Sequence, residues 1–162
     1  GGGSTELTLF EEGRAVDSLS LPLGTVRRFS QGIPEGTWER MDAWIDGHAH
    51  PERGPLAAIG SGGNINKLYK MSGRQGGEPL SSLYLSQQIK TLSALSMDQM
   101  VLELGLNVDR ADVLVPALEI YQRVMRRAGC RWIYVPKIGV ADGLVRDVYH
   151  RSFKANWEAG LR

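Results

Sequence analysis

Cysteine is scarce: Cys130 stands alone in 162 residues, which excludes an internal disulfide framework and leaves no paired-thiol zinc signature. A lone thiol of this kind is expected as a small buried hydrophobe. Charge of one sign is lacking too. The formal net charge is +1, so bulk charge builds neither a nucleic-acid groove nor a polybasic membrane surface, and no DNA, RNA or membrane partner is expected. There is no run of about 18 apolar residues, and the chain opens on glycine and polar residues rather than a basic and then apolar leader. A soluble, cytoplasmic setting is the expectation. Repeats and low-complexity tracts are also missing, while 42% hydrophobic and 23% charged residues are ordinary for one globular domain.

What is plentiful is glycine, at 20 of 162 residues, about 12% against a usual ~7%. Much of the excess falls in Gly1-Gly2-Gly3 and Gly60-Ser61-Gly62-Gly63. Glycine concentrated at points suggests ligand loops, because backbone N–H groups can then approach an anion with no Cβ in the way.

The pattern around these clusters is α/β. Residues 5–10 and 15–21 alternate about the Glu11–Arg14 turn and predict a hairpin whose inward face carries Leu7, Leu9, Leu19 and Leu21. One or two helical turns are expected from Thr25 to Gln31, then a helix from Thr37 with Trp38, Met41, Trp44 and Ile45 as core. Pro55–Ile59 predicts a strand buried on both faces that runs into Gly60–Gly63, with Asn64 as the cap of the next helix. Helices follow across Pro79–Gly105, with a capping box at Ser96 and Gln99, and then from Asp109, with a start or kink near Pro116. Arg131–Val135 predicts a strand, and a last helix after Gly139 carries Leu144, Val145, Val148 and Tyr149 as an apolar stripe. A strand normally precedes a glycine loop, yet here the glycines come first, so the sequence reads as a piece of a longer protein.

Chemically, Ser4 and Thr5 hydroxyls can donate to phosphate oxygens, and Glu6 can hold a magnesium-bound water or orient a hydrolytic one. Neither glycine cluster is followed by the Lys-Ser/Thr pair of a P-loop. A flexible linker at the first cluster and a ligand-free turn at the second are the alternatives.

Gly-Gly-Gly-Ser-Thr-Glu at 1–6, Gly-Ser-Gly-Gly-Asn-Ile-Asn-Lys-Leu at 60–68, Asp-Arg-Ala-Asp-Val-Leu-Val-Pro-Ala at 109–117 and Gly-Val-Ala-Asp-Gly-Leu at 139–144 resemble the Ppx/GppA family. Its members are exopolyphosphatases and guanosine pentaphosphate phosphohydrolases. The resemblance implies a ribonuclease H-like lobe of the actin-like, sugar-kinase and Hsp70 ATPase superfold, with a mixed sheet, an N-terminal hairpin and flanking helices. It further implies that residues 1–162 are the second, C-terminal lobe, beginning inside the second phosphate-binding loop, with the first lobe missing. On this basis Gly2, Gly3, Ser4 and Thr5 bind phosphate. Glu6 is the catalytic acidic residue near a magnesium ion and the attacking water, and Gly60, Ser61, Gly62, Gly63 and Asn64 line the cleft from the other side. Met100 and Ala141 depart from the pattern, standing where arginines are frequent in the family.

The resemblance implies a magnesium-dependent phosphohydrolase removing terminal phosphate from polyphosphate, with guanosine pentaphosphate as the alternative substrate and this chain alone inactive. A non-catalytic relative and a sugar or carboxylate kinase are the other readings, the last disfavoured by the motifs at 64–67 and 109–112. Lys67 and Lys70, in the helix after the second loop, are candidate contacts for an anionic chain. Asp46, His48, His50 and Glu52 read as a solvated helix end rather than a metal site, and Arg126-Arg127 as a solvated face. Separation from a first lobe should bare apolar surface and favour pairing with a second copy.

Overall fold

The computed structural model describes residues 2–25, 32–50 and 54–154; the helical turns expected up to Gln31 lie outside them beyond Thr25. The hairpin forms as β1 (Thr5–Glu11) and β2 (Arg14–Leu21), with Leu7 opposite Leu19 and a register shift between Leu9 and Phe10. Glu12 and Gly13 both have positive φ, as a two-residue primed turn requires.

The rest of the chain alternates helices with very short strands. They are α1 (Thr37–His48), β3 (Ala58–Ile59), α2 (Gly63–Met71), β4 (Leu80–Ser81), α3 (Ser82–Ser93), α4 (Met97–Leu104), α5 (Val108–Arg127), β5 (Trp132–Tyr134) and α6 (Val140–Tyr149). A π-helical turn, His150–Lys154, follows α6. Two sheets result among the described residues. One is the hairpin; the other is mixed, with β3 parallel and β4 antiparallel to the central β5.

α5 is the spine. It packs against α1, α2, α3 and α4, and its two sides serve two apolar clusters. Leu114, Leu118 and Met125 join Ile65, Leu68 and Leu85 in the larger cluster, while Ile120 and Val124 pack against the smaller one of Leu21, Leu23, Met41 and Ile45. This double burial explains why α5 passes through Pro116 as one helix capped at Asn107, rather than restarting there or at Asp109. The proline forfeits one ladder bond, and burial of the flanking turns outweighs it.

Several expectations need correction. β3 has two residues and is covered on one face only, since Ile59 is 74% exposed. β4 falls within the stretch expected as helix; a two-residue strand has no period to detect. Helix α2 starts at Gly63 with Gly62 as its cap, so Asn64 is an interior residue. Trp38 and Trp44 are half-buried, not core: Trp38 lies under the Arg123 guanidinium and Trp44 donates to Asp17 at 2.7 Å. The stripe of Leu144, Val145, Val148 and Tyr149 forms on α6 but stays more than half exposed. The Ser96–Gln99 capping box forms as expected.

Arg126 is exposed as expected, whereas Arg127 is more than part of a solvated face. Arg123 makes two hydrogen bonds to Asp42 at 2.8 and 3.1 Å, and one turn on Arg127 grips Asp46 in the same way, a two-rung ladder between α1 and α5. Each arginine holds its partner's carboxyl below the usual aspartate range. A lowered folded-state pKa adds stability above the unfolded value of about 3.9 and loses it as pH falls through the folded one. The double variant Asp42→Asn/Asp46→Asn should therefore melt below the parent at pH 7, and the gap in Tm should narrow progressively as pH falls below about 4. A gap that does not narrow on acidification would assign the loss to packing instead.

Candidate functional site

The two glycine loops meet. Gly2, Thr5 and Glu6 from the first and Ser61, Gly62, Gly63 and Asn64 from the second line one cavity of about 430 Å³. Its apolar floor is a stripe of α5, Val113, Ala117, Ile120 and Val124, with Leu7 and Ile133 at its sides. The mouth is polar and the floor is not.

The first loop is held from below. Thr5 Oγ1 donates to the Leu23 carbonyl at 2.5 Å, so this hydroxyl is committed to tying the start of β1 to the segment just after β2. The next residue, Gly24, is buried and lies so close to the Gly2 and Gly3 backbone that a Cβ would overlap it. Ser4 Oγ donates to Glu6 Oε1 at 2.5 Å, and Ser20 Oγ reaches the same oxygen at 3.4 Å. Two hydroxyls therefore orient the Glu6 carboxylate, which stays exposed.

The second loop leaves β3 through Gly60, whose N–H donates to the Tyr134 carbonyl at 2.8 Å and extends the parallel ladder. A Cβ there would sit 2.8 Å from Ile133 Cδ1, so glycine lets the loop leave close to β5. Gly62, with φ 123°, turns the chain into α2. The opening N–H groups of a helix have no intrahelical partner and favour an anion, and this helix opens with Gly63 and Asn64 on the cavity wall. Tyr121 on α5 donates its hydroxyl to the Ser61 carbonyl at 2.6 Å, and burial pushes its pKa up to about 12. The phenol therefore stays a donor across the working pH range. Tyr121→Phe should cost about 1 kcal/mol in urea unfolding and speed amide exchange at Ser61 to Asn64; unchanged exchange would mean that the hydroxyl does not brace the loop.

Other residues singled out in the sequence lie elsewhere. Gly3, Ser4 and Gly60 adjoin the cavity residues without lining it, and Gly1 lies outside the described residues. Lys67 donates to the Leu104 carbonyl at the end of α4, at 2.6 Å, and Lys70 is exposed; neither lines the cavity. Asp46 is engaged by Arg127, and His48 bonds the Trp44 carbonyl and Asp17; Glu52 is not among the described residues. Cys130 is buried and its thiol pKa is raised by burial.

Sequence reading missed Gly24 and Tyr121. For Gly24 the signal was available: once a hairpin is recognised, the few residues after its second strand must lie beside the loop before its first. Tyr121 carried no such mark, since its spacing is that of an ordinary apolar stripe.

Glu6 is the one carboxylate on the described lining, which holds no lysine or arginine. Among the described residues no three His, Cys, Asp or Glu side chains gather as a metal site. With Ser4 beside it, Glu6 can supply at most part of an oxygen ligand set, which suits magnesium, an ion that usually takes one or two carboxylates and fills its shell with water and phosphate oxygens.

The same arrangement of elements occurs in solved structures. A crystal structure of an Aquifex aeolicus Ppx/GppA family member superposes with a TM-score of 0.68 at 20% identity, covering 94% of this chain and 55% of that one. An exopolyphosphatase from Cytophaga hutchinsonii superposes with a TM-score of 0.68 at 20% identity over 90% of this chain and 54% of its own. An exopolyphosphatase-like protein gives a TM-score of 0.69 at 18% identity, over 93% and 58%. The chain thus spans little more than half the length of these structures. At such identities they speak to fold, an α/β architecture with a mixed sheet. The family model for Ppx/GppA phosphatases matches residues 1–152, and by that match over nearly its whole length the chain belongs to the Ppx/GppA phosphatase family.

Proposed function

We propose that the chain is the second, ribonuclease H-like lobe of a magnesium-dependent phosphohydrolase that removes the terminal phosphate from inorganic polyphosphate. The observation that carries this reading is the convergence of both glycine loops, the α2 N-terminus and Glu6 on one cavity. In the reaction, water attacks the terminal phosphorus, the bridging P–O bond breaks, and orthophosphate departs. Catalysis then consists of positioning the phosphoryl group and stabilising its charge. In this chain the N–H groups at the start of α2 and the backbone of the first loop at Gly2, on the cavity wall, and at the adjoining Gly3 and Ser4, on its rim, hold phosphate oxygens. Glu6, fixed by Ser4 and Ser20, orients a water. Magnesium, held in part by Glu6, would supply charge neutralisation on the phosphoryl oxygens.

A lining without lysine or arginine supplies too little positive charge for a polyanion, so the remaining cations belong to the first lobe and the metal. The lobe alone is accordingly inactive. The test is magnesium-dependent phosphate release from long-chain polyphosphate, by this chain and by the longer protein carrying the first lobe. Release by the longer protein alone is expected. Release by neither would move the reading to guanosine pentaphosphate or to a non-catalytic relative, and release by this chain alone would overturn the division of labour between lobes.

A further inference from the structure

Phosphate oxygens accept hydrogen bonds, so a wall that holds them has to offer donors. Around the first loop the side-chain hydroxyls are already spent. Ser4 and Ser20 donate to Glu6, and Thr5, which the sequence suggested as a phosphate donor, donates to the Leu23 carbonyl. Two residues beyond that carbonyl stands a hydroxyl whose proton is uncommitted. Thr25 lines the cavity and is only 5% exposed, yet no group among the described residues bonds its Oγ1. Asn66 Oδ1 is the one side-chain polar atom among those residues that is both sealed and unpaired, so the Thr25 hydroxyl is open to the cavity rather than closed in behind it. A buried hydroxyl without a bond costs stability, and a ligand that brings its own acceptor removes that cost.

Its place in the chain decides which ligand atoms it meets. Thr25 directly follows Gly24, which lies against the Gly2 and Gly3 backbone, so it belongs to the first loop's side of the cavity. We propose, on the reading of this cavity as a phosphate site, that Thr25 is a further substrate-binding residue: its hydroxyl donates to an oxygen of the phosphoryl group held by the first loop. The proton stays on threonine throughout, and the residue binds and orients. A neutral donor suits this position, because a cation buried as deeply would carry a large desolvation cost. Thr5 and Thr25 thereby divide two tasks, the one tying the loop to the segment after β2 and the other meeting the ligand.

The test compares Thr25→Val, which keeps the shape and deletes the hydroxyl, with Thr25→Ser, which keeps the hydroxyl. Both are made in the longer protein. Orthophosphate binding is measured by calorimetry, with Tm and phosphate release from polyphosphate alongside. Expected is a loss of affinity of roughly tenfold or more in Thr25→Val and near-parental affinity in Thr25→Ser. Thr25→Val should melt no lower than the parent, because it breaks no bond within the protein. Equal affinity in the parent and Thr25→Val would overturn the proposal and leave the reading of the cavity standing. A lowered Tm with unchanged affinity would also overturn it, by making the hydroxyl structural, and so would a parent that binds no orthophosphate. A parent that binds orthophosphate with the expected dependence on Thr25, but releases none from polyphosphate, would uphold the proposal and discard polyphosphate hydrolysis.

Discussion

Gly24→Ala is expected to reduce phosphate release by the longer protein about 100-fold while Gly76→Ala leaves it unchanged. Gly24 is buried behind the first glycine loop, and the atoms that a new Cβ would meet are the Gly2 carbonyl and Gly3 backbone. A side chain could rotate away from such an overlap, but backbone cannot. The alternatives are a shift of Gly2–Ser4 toward the cavity or a retreat of the segment after β2, which the Thr5 bond to the Leu23 carbonyl resists. Either displaces the N–H groups by a distance on the order of 1 Å, which phosphoryl chemistry does not tolerate. Gly76 has open space around it and no positive φ, so it controls for the general cost of losing a glycine. Full activity in Gly24→Ala would mean that the first loop does not hold the reacting phosphate.

Glu6→Gln in the longer protein should lower kcat by roughly 100- to 1,000-fold and leave KM for polyphosphate unchanged or lower. The signs of the two effects separate the roles. Glutamine preserves the shape and can still accept from Ser4, but it removes the charge that orients water and attracts a divalent ion. On the proposed reading the substrate is a polyanion, so at saturating magnesium the deletion of a negative charge from its site should not weaken its binding electrostatically. The magnesium concentration for half-maximal rate should also rise. A raised KM with normal kcat would instead make Glu6 a part of the loop's architecture.

The helical and hairpin parts of the fold were legible because they obey strong periods: the Leu7–Leu19 face of the hairpin, the Ser96 cap, and the α2 stripe of Ile65, Leu68 and Tyr69. The short strands were not, since β4 has two residues and acquires its identity only by pairing with β5. Pro116 left a kink and a fresh start both open on local chemistry, and the burial of α5 on both sides is what keeps it one helix. The glycine loops were visible as composition. Their meeting across a floor built by α5, and the bracing of one by Gly24 and of the other by Tyr121, depend on residues far apart in sequence.

The uncovered stripe of α6, together with Ile59, Trp132 and Tyr134 on the bare side of the sheet, makes the chain a poor colloid. Protein molecules in solution are kept apart mainly by like charge, and here the isoelectric point is about 8.1. In mildly alkaline buffer that repulsion vanishes while the sticky surface remains. Solubility should pass through its minimum near pH 8 and recover as net positive charge builds on acidification, so a slightly acidic buffer is the natural medium for keeping the isolated chain dispersed.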